Sequence, residues 1–162
     1  MPDLLTHILI AYVLGTLVNN KTDLLNGRHV PVLMIGGALP DLSKLYLIVE
    51  SDVIEQAFSV PFSWGGAHTF GVTLLLSLAG TQLFHRKERY PVFVSLSIGF
   101  VLHFILDSFV IRADGQVPPY LFPVSWWQYP SGNLYLSSTF WPSLLSILLA
   151  TIVFVSTHTA ES

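Results

Sequence analysis

The chain contains no cysteine. That excludes disulfides and thiolate metal sites, so any metal must be held by imidazole and carboxylate. Charge is scarce as well. Only 10% of the 162 residues are Asp, Glu, Lys or Arg, against roughly 25% in a soluble domain. The formal net charge of −3 leaves no basic footprint, so no nucleic-acid partner is expected. Asp3 is the only early charged side chain, and the pattern of a secretory signal, which needs a basic start, is missing. Internal repeats, low-complexity linkers, a Gly-rich phosphate loop, a nucleophile elbow and a His-Glu-x-x-His motif are also missing.

What the chain has in excess is apolar surface: 52% of residues are hydrophobic and 13% aromatic, with a mean hydropathy of +0.62. The length predicts one domain, 1–162. The apolar runs predict an all-α polytopic membrane protein, a bundle of about five transmembrane helices near residues 4–18, 30–49, 68–84, 92–111 and 138–157. Pro40 interrupts the second run, and the carbonyl it frees must find a partner in a neighbouring element. The aromatics of the long connection 112–137, among them Trp126, Trp127 and Tyr135, predict a belt along a membrane surface.

Basic residues set the orientation. Lys21 and Arg28 follow the first run and Arg86, Lys87 and Arg89 follow the third, whereas the loop after the second carries Glu50, Asp52 and Glu55. The expected topology in a cytoplasmic membrane is therefore N-terminus outside and C-terminus inside.

The stretch 92–111 is long enough to cross a bilayer yet contains His103 and Asp107, four residues apart and so on one helical face. Ionisable groups at that depth point to a functional site. The expected topology brings three more to the same outer half of the membrane: His7, Asp41 and His68. Five potential ligands on four helices suit zinc, with manganese or iron as the other fits. Catalytic sites keep one position open for a water whose pKa the metal lowers. His29, His85 and His158 read as solvated histidines. Arg112, just past Asp107, reads as an interfacial anchor, with a phosphate clamp as its second reading.

At these residues the chain resembles the LexA-regulated, membrane-bound metal-dependent hydrolases of the YdjM type. The likeness lies in an ordered set of motifs: Thr6-His7, Leu39-Pro40-Asp41, His68-Thr69, His103 to Asp107, and then Leu121-Phe122-Pro123-Val124-Ser125. The family looks distantly related to zinc-dependent phospholipase C and P1-type nucleases, which act on phosphodiesters with clustered metals. The resemblance implies that His7, Asp41, His68, His103 and Asp107 are metal ligands. In one place the chain departs from the pattern. Ser63 and Trp64 stand where the family usually shows His-Arg, leaving one ligand and one arginine fewer.

The expectation is a membrane-embedded metal-dependent hydrolase acting on a phosphoester of a membrane lipid or lipid-linked substrate, with Asp41 or Asp107 doubling as general base. The alternative is a non-catalytic membrane interaction protein with a structural metal or a hydrogen-bonded polar core. A proton or ion pathway ranks last, because the inner halves of the runs offer only Ser, Thr, Gly and Gln82.

Overall fold

The computed structural model describes the backbone of residues 2–19 and 26–160 and the side chains of 4–19, 26–157 and 159. Lys21 and the side chain of His158 lie outside the described residues. The architecture is helical: α1 (Pro2–Asn19), α2 (His29–Ala38), α3 (Ser51–Phe58), α4 (Phe70–Thr81), α5 (Arg89–Asp107) and α6 (Trp141–Ala160). Among the described residues, two 3-10 helices, Leu39–Leu47 and Trp64–His68, complete it. Among the described residues the only β pairing is two isolated bridges, Val110 with Tyr135 and Gln116 with Pro130.

Among the described residues, two helical stretches are long and apolar enough to cross a membrane: His29–Leu47, which is α2 with the 3-10 helix that follows it, and Arg89–Asp107. Shorter apolar helices occupy Leu4–Asn19, Phe70–Thr81 and Trp141–Thr157. The distribution of side chains is inside-out. Ser77, Ser95 and Ser146 are wholly buried, while Leu144, Leu148, Ile152 and Val155 of α6 face outward. Small polar residues at helix contacts and apolar residues outside suit a lipid solvent.

The boundaries of the apolar runs shift for local reasons. The second run changes register at Leu39, next to Pro40, which lacks the N–H that an α-helix needs. The third run breaks at Thr69, whose backbone is extended. There the amides of Phe70 and Gly71 donate to the carbonyls of Tyr120 and Phe122. His68 therefore ends a 3-10 helix and does not belong to α4. The fourth run stops being helical at Asp107. Phe109 to Ile111 are apolar but bond to the 131–135 segment: Ile111 N–H donates to Tyr135 and Gly132 N–H to Ser108. The acidic loop after the second run contains the short helix α3, with Val53 and Phe58 exposed.

The core sits on one stripe of α5. Val92, Leu96, Gly99, Phe100, His103, Phe104 and Asp107 are buried, the i, i+3, i+4 spacing of a single helical face. Phe100 and Phe104 pack with Val117 and Tyr120 of the long connection. Tyr135, expected in a surface belt, is buried, and its O–H donates to the Leu106 carbonyl. Trp126 and Trp127 are exposed.

The tightest contact is between α2 and α5. A Cβ on Gly99 would collide with the Leu33 carbonyl oxygen and lie 2.6 Å from Gly37 N, and one on Gly36 would lie 2.8 Å from Leu96 Cα. Only glycine permits this backbone approach. Gly99→Ala is expected to lower stability in detergent by about 1–3 kcal/mol through overpacking. Gly66→Ala, where a Cβ meets nothing within 4 Å, should be near neutral. Thermal melts of the two variants check this, and a wild-type melt for Gly99→Ala would contradict the close crossing.

Candidate metal centre

The α2–α5 contact positions the first candidate ligand. One helical turn past Gly99, the His103 ring meets the Gly37 carbonyl at 2.7 Å through Nδ1. A carbonyl only accepts, so Nδ1 carries the proton and donates it. The Gly37 carbonyl is available because the residue three further on, the donor in a 3-10 register, is Pro40. The carbonyl freed by a proline inside an apolar run is thus satisfied by an imidazole. His68 is fixed in the same way, with Nδ1 donating to the Pro40 carbonyl at 3.1 Å.

Both rings therefore turn Nε2 toward carboxylates. His68 Nε2 lies 2.8 Å from Asp107 Oδ2. His103 Nε2 lies 3.8 Å from Asp107 Oδ2 and 4.0 Å from Asp41 Oδ1. His7, on α1, brings Nε2 to 3.1 Å from Asp107 Oδ1 and stacks its ring on His103 at 3.9 Å between centroids. His7, Asp41, His103 and Asp107 are buried and His68 is half-buried. The five residues singled out in the sequence thus come together in two overlapping groups that share His103.

A neutral His103 presents a lone pair to two carboxylates, and Nε2 is buried without a hydrogen-bond partner. A proton on that nitrogen would find no acceptor at hydrogen-bond distance. Asp41 Oδ2 is likewise buried with no hydrogen-bond partner. A cation between these groups meets both needs. Metal-bound histidines commonly donate their second ring nitrogen to a carbonyl, as His68 and His103 do here. Among the described residues two overlapping groups are spaced to hold an ion: His7, His103 and Asp107, and Asp41, His68 and His103.

Two residues that sequence reasoning did not place at the centre, Lys44 and Tyr120, surround it together with Arg112, whose second reading is a phosphate clamp. Lys44 Nζ pairs with Asp41 Oδ1 at 2.6 Å. The signal was the Asp41-x-x-Lys44 spacing, one 3-10 turn. Arg112 Nη2 donates to Asp107 Oδ2 at 3.3 Å and to the Tyr120 hydroxyl at 3.0 Å. Arg112 therefore takes part in the site and is not solely an anchor. Tyr120 reaches Asp107 Oδ2 at 3.5 Å. Burial, with the nearby Asp107 carboxylate, pushes the Tyr120 phenol up, so it stays a donor. No local sequence signal marks Tyr120.

Asp41, His68, Asp107, Lys44 and Arg112 all line one open cavity of about 660 Å³.

Ser63 and Trp64, the positions where the family pattern has His-Arg, serve the loop. Ser63 Oγ accepts from Gly65 N–H at 3.3 Å, and Trp64 Nε1 donates to the Val49 carbonyl at 2.8 Å. His85 is exposed as expected, but His29 is not solvated. It is buried at the start of α2, with Nε2 3.4 Å from Glu88 Oε2 and Nδ1 accepting from Asn26 N–H.

The two groups share His103, whose single available nitrogen serves one ion. About one divalent ion per chain is therefore expected in elemental analysis of detergent-purified protein. It should be lost in His103→Ala and retained in His29→Ala. Two ions in the wild type, or retention by a folded His103→Ala, would contradict the geometry.

No curated protein and no solved structure matches the chain. A family model described as YdjM inner membrane protein matches residues 1–161. With all but the last residue covered, the chain belongs to the YdjM inner membrane protein family.

Proposed function

We propose that this inner membrane protein is a metal-dependent hydrolase that cleaves a phosphoester of a membrane lipid or a lipid-linked substrate. The observation that carries the reading is the His103 imidazole: Nδ1 is fixed by the Gly37 carbonyl, and Nε2 is directed at two carboxylates without a hydrogen-bond partner. His7, Asp41, His68, His103 and Asp107 are the ligand set, and zinc suits it, with manganese or iron as the other fits. A bound divalent ion there supplies a water of lowered pKa and positive charge for the developing oxyanion.

The chain's own residues do the rest. The Gly37 and Pro40 carbonyls orient His103 and His68. A carboxylate oxygen of Asp41 or Asp107 takes the proton of the attacking water. The water oxygen bonds to phosphorus, the ester P–O bond breaks, and the protonated carboxyl returns its proton to the leaving alkoxide. Tyr120 and Arg112 hold Asp107 in place.

A structural metal site is closed, whereas a catalytic one keeps a face open. Asp41, His68 and Asp107 line an open cavity, which favours catalysis over a purely structural core. In the bilayer the five apolar helices α1, α2 with its 3-10 extension, α4, α5 and α6 form the spans. The N-terminus lies outside, the C-terminus inside, and the cavity opens at the outer interface, where headgroups lie.

The test is turnover by metal-loaded protein against a panel of phosphoester lipids, read as released headgroup or phosphate by mass spectrometry. Asp107→Asn should lower the rate by at least about 100-fold. No turnover across the panel by a protein shown to hold its metal would overturn the proposal.

A further inference from the structure

The mouth of the centre carries two cations, Lys44 and Arg112. Lys44 comes from the 3-10 helix after α2 and Arg112 from the turn after α5, and both side chains are about a quarter exposed, 24% and 26%. Each is tied to one ligand carboxylate, Lys44 to Asp41 and Arg112 to Asp107. Both line the cavity that His68 and the two aspartates open into. Arg112 uses only Nη2 in its contacts with Asp107 and Tyr120, and its Nε is buried without a hydrogen-bond partner.

Charge then decides what the cavity takes. The two carboxylates and the two cations cancel. A divalent ion on the ligands leaves two positive charges in excess. Asp114 also lines the cavity, but it is exposed and its Oδ1 accepts from Gln116 N–H at the solvent side. An uncompensated double charge in a cavity walled by membrane helices is costly, and an anion of matching charge relieves it. A guanidinium with donor capacity left over favours a planar pair of oxygens, and an ammonium adds a point charge beside it.

We propose that Lys44 and Arg112 form a two-armed clamp for a phosphate dianion, the headgroup of a phosphomonoester. A phosphodiester carries one negative charge and leaves half of the excess unmet. The dianion offers enough oxygens for the metal, the guanidinium and the ammonium together. This inference rests on the metal reading of the same site and adds to it the substrate class. Lys44 and Arg112 are positioning residues for the anion and are not ligands of the metal.

The experiment measures binding of inorganic phosphate to metal-loaded protein in detergent by isothermal titration calorimetry, with metal content determined on the same samples. Wild type, Arg112→Gln, Arg112→Lys and Lys44→Gln are compared. The expected result is metal retained in all four, phosphate affinity lowered at least tenfold by Arg112→Gln and by Lys44→Gln, and an intermediate loss for Arg112→Lys.

Nanodiscs then separate the sources of the anion. Competition by discs containing phosphatidic acid, but not by discs of phosphatidylcholine alone, assigns the clamp to a lipid headgroup. Phosphate binding without such competition assigns it to a soluble phosphate. Metal-loaded wild type that binds no phosphate, or metal-loaded Arg112→Gln and Lys44→Gln that bind it as the wild type does, would overturn the clamp while leaving the metal centre standing. Absence of metal from the wild type would sink the hydrolase reading first, and the clamp with it.

Discussion

The close backbone contact of α2 with α5 is the constraint from which the centre follows. Gly36 and Gly99 let the two helices approach until the backbone of one touches that of the other, and Gly37 leaves room for His7 and Ala11 of α1. One turn further on, that proximity puts the His103 ring against the Gly37 carbonyl. The hydrogen bond fixes the tautomer, and the tautomer fixes which nitrogen faces Asp41 and Asp107. Pro40 makes the arrangement possible twice over. It has no N–H to offer the Gly37 carbonyl, and its own carbonyl receives His68. A helix break that would be a defect in lipid becomes the support of two imidazoles.

The same constraint accounts for the inside-out character of the chain. Bringing His and Asp together among apolar helices is unfavourable unless the charges are matched. The matching is layered: imidazoles against carboxylates at the centre, then Lys44 and Arg112 against those carboxylates at the mouth. Tyr120, buried and kept protonated, closes the wall between the Asp107 carboxylate and the Phe100–Phe104 cluster. The long connection after α5 is therefore part of the core, tied through Phe70 and Gly71 to the start of α4 and through Tyr135 to the end of α5.

Much of this was legible in the sequence because the informative residues are out of place in lipid. His103 and Asp107 announce themselves by a four-residue spacing inside an apolar run, and Asp41 by following a proline. Helix ends were not legible. Hydrophobicity continues through Phe109, Val110 and Ile111, but the backbone leaves the helix at Asp107 because a distant segment offers other hydrogen bonds. The break at Thr69 has the same origin. Lys44 could have been found from its spacing to Asp41. Tyr120 and the burial of His29 depend on which segments pack together, and one chain read in order does not carry that information.

The central claim is that carbonyl-fixed imidazoles and carboxylates face one cation. X-ray absorption at the K edge of the bound metal tests it most directly. The expected first shell holds nitrogen and oxygen only, at about 2.0–2.2 Å for zinc, with the multiple scattering of at least two imidazole rings, weakened in His103→Ala. An oxygen-only shell with no imidazole scattering would mean that the ion binds elsewhere, and would contradict it.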